Sequence, residues 1–116
     1  MQISGLPTLL EQHWQGRDLV LRLRLDPELP WFRGHFPGAP LLPGVVQVHW
    51  AMHYGRQLPG LAGSFAGMNQ LKFQRPLRPG QECELHLCWQ ADKGQLLFSY
   101  RLGDEHASRG GMRLGP

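Results

Sequence analysis

No stretch of this chain is apolar for long enough to cross a bilayer, and its first residues, MQISGLPTLL, lack the basic-then-apolar order of a secretory signal. Cysteine is scarce. Cys83 and Cys88 are the whole supply, five apart on one expected strand, so their side chains point to opposite faces and do not pair with each other. No Cys/His spacing resembles a zinc site, and a reducing cytoplasm is the expected location. Runs of Lys or Arg are missing too, as is any aromatic-interleaved RNA motif. The formal charge of +3 therefore reads as a solvated surface rather than a nucleic-acid footprint. It would also suit an acidic protein partner through complementary fields.

What is present belongs to one globular domain. The 116 residues leave no room for a second domain, and a 41% hydrophobic, 18% charged composition is that of a chain that folds. A domain this small gains stability from an oligomer interface. Fifteen glycines and ten prolines are many for the length, and several crowd between Pro27 and Gly44. A long structured loop of that kind usually carries function.

Along the chain, Leu6, Leu9, Leu10, His13 and Trp14 have helical spacing over Ser4–Trp14, with Pro7 suited to a first turn. DLVLRLRLD then alternates, with Leu19, Leu21, Leu23 and Leu25 on one face and Arg22 and Arg24 on the other, as in a half-buried strand. Gly44–Gln57, apolar on nearly every side and bounded by Pro43 before and Pro59 after, predicts one long buried helix. Strands are expected over Phe65–Gln74, Glu82–Gln90, the Leu96–Leu102 segment and His106–Leu114. The plan is α+β: one buried helix, a strand before it and a meander of antiparallel strands curling around it.

The segment Phe32–Met52, FRGHFPGAPLLPGVVQVHWAM, is the most specific part of the chain. It resembles the signature of the beta-hydroxyacyl-carrier-protein dehydratases, His-Phe-Pro-Gly-x-Pro-x-x-Pro-Gly, followed by an acidic residue on the next helix. His35, Phe36, Pro37, Gly38, Pro40, Pro43 and Gly44 match in register. FAGMNQLKFQRPLRPG, Phe65–Gly80, resembles the strand that follows the helix in that family. The phrase LLPGVVQVHWAM is similar to the small dehydratases of aryl polyene biosynthesis clusters. The resemblance implies a hotdog fold, a long central helix wrapped by a curved antiparallel sheet, in a homodimer or higher homo-oligomer with sites at the interface. It also implies the elimination of water from a 3-hydroxyacyl thioester held on the phosphopantetheine of an acyl carrier protein, with no other cofactor.

That reaction needs a base for the α-proton, an acid for the departing hydroxyl, and donors where the thioester oxygen gains charge. His35, in a rigid Pro/Gly loop, is the expected base; the bland alternative is a loop histidine capping backbone groups. Gly44 opens the helix with an unpaired N–H and no side chain, so by resemblance it polarises the thioester carbonyl, with Val45 beside it. The family's acidic residue falls fourteen positions after its histidine, where this chain has His49, and four further on His53 replaces the usual glutamine. Three readings stay open. His49 replaces the acid; or His35 alone shuttles the proton; or the acid is missing and the protein only binds acyl thioesters. A thioesterase of the same fold is a further alternative. His49 and His53 also form H-x-x-x-H, a spacing that can hold a metal, but without the glutamate or third ligand of a known site.

An apolar tunnel for the acyl chain and its arm is expected from Phe36, Leu42, Pro43, Trp50, His53, Phe65 and Gly67, with core packing as the rival role. Arg33, Lys72, Arg75 and Arg78 are candidates for meeting an acidic carrier protein, and ordinary solvated surface is the rival for each.

Overall fold

The computed structural model describes residues 5–33 and 38–116. Among the described residues, six strands, β1 (Thr8–Gln15), β2 (Asp18–Arg24), β3 (Ser64–Phe73), β4 (Glu82–Gln90), β5 (Gln95–Leu102) and β6 (Glu105–Gly115), accompany a single α-helix, α1 (Gly44–Gly55). The strands form one antiparallel sheet in the order β1-β2-β4-β5-β6-β3, so β1 and β3 are its edges. A short 3-10 helix, Pro30–Phe32, opens the loop before α1.

The sheet follows from the alternation in its strands. Leu19, Leu21 and Leu23 of β2 face the same side as Cys83, Leu85 and Leu87 of β4 and Leu96, Phe98 and Tyr100 of β5, and all are buried. Against this surface α1 lays Val46, Trp50, Ala51 and Tyr54. Trp50 is 0% exposed; cutting such a side chain to alanine typically costs about 3–5 kcal/mol, because the surrounding packing collapses only in part. At the far end of α1, a β-carbon on Gly55 would sit 2.6 Å from a methyl group of Leu96, so the glycine sets how closely the helix meets β5.

Two expectations from sequence are corrected here. The segment over Ser4–Trp14, read as a helix, is strand β1 from Thr8. Its backbone pairs with β2 from Thr8↔Arg24 to Gln15↔Asp18, and a bulge between Leu9 and Glu11 breaks the two-residue alternation that would have marked a strand. Thr8 donates a 2.5 Å hydrogen bond to Asp26, which also accepts from Arg24 Nε at 3.1 Å. These two bonds, first Thr8 and then Arg24, hold the Asp26 carboxyl below its ordinary pKa. The helix predicted to be buried all round is covered on one side only within the chain. Val45 is 74% exposed and His49 is exposed as well, because the sheet meets one face of α1 and leaves the apolar remainder outward.

Candidate active site at the start of α1

His35 and Phe36 lie outside the described residues. The arm of the loop that leads from them into α1 is well anchored. Leu42 is buried; its N–H donates to Leu77 O at 2.7 Å, and its carbonyl accepts from Gln47 Nε2 at 3.1 Å. Pro43 then caps α1, its extended backbone offering a carbonyl to the N–H groups of Val46 and Gln47. Gly44 and Val45 precede any acceptor a helix provides four residues back, and among the described residues their N–H groups have no hydrogen-bond partner. The helix dipole puts partial positive charge at the same place.

His49 stands one turn beyond Val45 on the exposed face of α1, with half-buried Met52 a further turn along. An imidazole there is outside the core, about one helical turn from the N–H groups of the first turn. The space beside Gly44 is already in use: a β-carbon there would lie 2.5 Å from the ring tip of Phe73. Phe73, at the end of edge strand β3, is half exposed and was not singled out from sequence. Its signal was only that of an apolar strand residue.

The remaining expected tunnel residues separate into two groups. Leu42 and Trp50 are enclosed in the core cluster, Pro43 is half buried, and Trp50 Nε1 is buried with no hydrogen-bond partner among the described residues. His53 is half buried, edge-on to the Tyr54 ring. Phe65 is exposed on β3, and Gly67 makes room for the Arg113 guanidinium, which a β-carbon would meet at 2.5 Å. Arg33, Lys72, Arg75 and Arg78 are all exposed. Arg33 donates to Glu28 O at 3.3 Å and Arg75 pairs with Glu105, so both are engaged locally.

A cavity of about 590 Å³ lies elsewhere, along the sheet face turned away from α1, among Val20, His86, Ser99, Arg109 and Lys72. It includes neither Gly44 nor His49, and the chemistry of the α1 terminus has no share in it. No three His, Cys, Asp or Glu side chains gather as a metal site among the described residues.

Sequence reading also missed the polar contacts under α1. Gln47, buried on the sheet side of the helix, accepts from Ser108 Oγ at 2.5 Å through its side-chain oxygen. Its backbone carbonyl accepts from the Tyr100 hydroxyl at 2.6 Å. Burial raises the Tyr100 pKa well above its ordinary value, so the hydroxyl remains a donor.

A dehydratase profile, described as ApeI-like: ApeI dehydratase, matches residues 11–111. The chain belongs to the ApeI-like dehydratase family. This ApeI-like chain superimposes on a structure of the dehydratase heterocomplex ApeI:P from Xenorhabdus doucetiae with a TM-score of 0.87 and 41% identity, covering 95% of this chain and 98% of that one. An uncharacterised protein from Erwinia carotovora subsp. atroseptica is similar to the same degree, with a TM-score of 0.82 and 41% identity over 96% of this chain and 97% of the other. Among curated proteins, the 3-hydroxyacyl-[acyl-carrier-protein] dehydratase FabZ of Pelotomaculum thermopropionicum is 33% identical over 86 residues. That match takes in 68% of the ApeI-like chain and 61% of the enzyme, so the chain spans less than two thirds of that relative's length. The fold is the hotdog expected from the motif, with its helix packed on one face of an antiparallel sheet.

Proposed function

We propose that this chain is a 3-hydroxyacyl-[acyl-carrier-protein] dehydratase, removing water from a 3-hydroxyacyl thioester to leave the trans-2-enoyl thioester in fatty-acid or polyene-type synthesis. The observation that carries the reading is the start of α1: N–H groups at Gly44 and Val45 without a partner among the described residues, with the exposed His49 one turn on. In the proposed reaction His35 takes the α-proton as the electrons move toward the thioester carbonyl. The N–H of Gly44 stabilises the oxygen as its charge grows. His49 then delivers a proton to the β-hydroxyl, which leaves as water as the double bond forms. The acyl group arrives on the phosphopantetheine of an acyl carrier protein, and no further cofactor enters the balance.

The site would be completed by a second subunit. Edge strand β3 exposes Phe65, Leu71 and Phe73, and α1 exposes Val45. An unpaired edge with large apolar side chains is a surface that folded proteins cover. A second copy of this chain is the proposed cover, and an ApeP-type partner, as in the ApeI:P heterocomplex, is the other source of such a surface. The working compartment proposed is the cytoplasm; no helix among the described residues is long and apolar enough to span a membrane.

Incubation with a 3-hydroxyacyl carrier protein, followed by mass spectrometry of the carrier, tests the reading. Loss of water is the expected product. Loss of the whole acyl group would mean thioester hydrolysis, and an unchanged mass would mean binding without catalysis; either overturns it. His35→Ala should lower the dehydration rate at least ~10²-fold, the usual contribution of a positioned general base. A folded variant with near-normal turnover would remove His35 from that role.

A further inference from the structure

The first turn of α1 is held to the sheet by a set of buried polar contacts that converge on one side chain. Gln47 is 3% exposed. Its amide oxygen accepts from Ser108 of β6, its amide nitrogen donates back to the carbonyl of Leu42, and its own carbonyl accepts from Tyr100 of β5. Leu42 is in turn bonded through its N–H to Leu77 O. One residue thus links two strands, the helix and the last residues of the loop that carries His35.

Most buried polar groups in a folded core are paired, and around Gln47 the pairing fixes which way each one points. The Ser108 hydroxyl sets the amide oxygen toward β6, which leaves the nitrogen facing Leu42. Pro43 and Gly44 follow Leu42 directly, and they are bracketed by the two ends of the Leu42–Gln47 bond. The direction of the Gly44 N–H is therefore tied to how that bracket is held.

We propose that Gln47 is a positioning residue, which aims the Gly44 N–H at the thioester carbonyl by clamping Leu42 and the first turn of α1 to Ser108 and Tyr100. The proposal rests on the reading of Gly44 given above. Gln47 touches no substrate in this scheme. Its effect falls on the geometry of a donor whose value in the transition state depends on sub-ångström placement.

The test uses the full-length protein with a saturated acyl-pantetheine thioester, carbonyl-labelled with carbon-13 and unable to react. Its infrared carbonyl band reports polarisation by a donor and is indifferent to overall stability. Wild-type protein should lower the band frequency relative to the same thioester in water, and Gln47→Leu should return it at least about halfway. In turnover, kcat should fall about tenfold or more while KM stays within about threefold, the pattern of a lost transition-state contact. A folded Gln47→Leu variant with the wild-type band and wild-type kcat overturns the positioning role and leaves the Gly44 reading intact. A wild-type band that does not move removes the Gly44 donor itself, and the positioning proposal falls with it. Should Gln47→Leu fail to fold, Ser108→Ala and Tyr100→Phe each delete one bond of the set, and the same two measurements decide.

Discussion

Gly44 and Phe73 meet edge to edge: a β-carbon on the glycine would lie 2.5 Å from the ring tip of the phenylalanine. The glycine that opens α1 is therefore required by packing inside the chain as well as by any carbonyl that approaches its N–H. The atoms met are all at the end of the Phe73 side chain and none is backbone, so a small turn of the ring relieves the contact. Gly44→Ala should accordingly cost only about 1–3 kcal/mol in thermal or denaturant unfolding, the usual range for overpacking. Gly44→Ala combined with Phe73→Leu should regain most of that stability. If the double variant is no more stable than Gly44→Ala alone, the contact with Phe73 is not what constrains the position.

His49, which the resemblance to the dehydratases sets where their acidic residue is expected, projects from the open face of α1. His49→Ala should lose most dehydration activity, by about 10²-fold, the typical contribution of a positioned acid. His49→Glu should recover part of it by restoring a carboxyl group. With one histidine acting as base and the other as acid, the rate should rise and then fall with pH. Steady-state kinetics across pH decide the matter: a near-normal rate in His49→Ala leaves His35 to shuttle the proton alone.

The apolar edge of β3 is the surface proposed to receive a second subunit. Sedimentation of the wild-type protein at micromolar concentration should show a dimer or a larger assembly. Phe65→Asp and Leu71→Asp place charge on that edge and should shift the distribution toward monomer, because burying an unpaired carboxylate is costly. A wild-type monomer, or assemblies indifferent to both substitutions, would locate the interface elsewhere.

Alkaline pH should expose two of the core's buried acids, Cys83 and Tyr100. The Cys83 thiol, ordinarily near 9.0, is pushed up to about 12 by burial and then by the neighbouring Glu84 charge, and burial holds Tyr100 well above 10. Both pKa values are raised in the folded state. Their neutral forms therefore leave stability intact below the unfolded pKa, and it is lost as pH climbs toward the folded value. The melting temperature should be flat below about pH 9 and fall above it, with proton release on unfolding. Cys83→Ala should delay the onset toward the range where tyrosine ionises. An onset unchanged in Cys83→Ala would assign the loss to other groups.

Residues that see only their own strand or turn were legible in the sequence. β4 runs over Glu82–Gln90 as expected, and β5 and β6 fall within a residue or so of their predicted limits. A half-buried strand writes its environment into a two-residue period, so Leu85, Leu87, Leu96, Phe98 and Tyr100 declare their face without knowledge of their partners. Pro43 and Gly44 marked the start of α1, since a proline there ends the extended loop and supplies the first acceptor. The dehydratase motif was likewise visible, because a Pro/Gly framework must stand at fixed positions to shape its loop.

Tertiary structure decided what no local pattern records. β1 forms because β2 offers a row of unpaired backbone groups, and the bulge at Leu9/Glu11 erases its alternation; from sequence alone its leucines have helical spacing. Which side of α1 is covered was likewise undetermined, since a helix apolar on nearly every face carries no amphipathic signal and only the sheet's position leaves Val45 and His49 outside. The deepest contacts were the least readable. Gln47 meets Tyr100 and Ser108 across 53 and 61 residues of chain, and a hydrogen bond at that separation exists only once both ends have been brought to the same buried place.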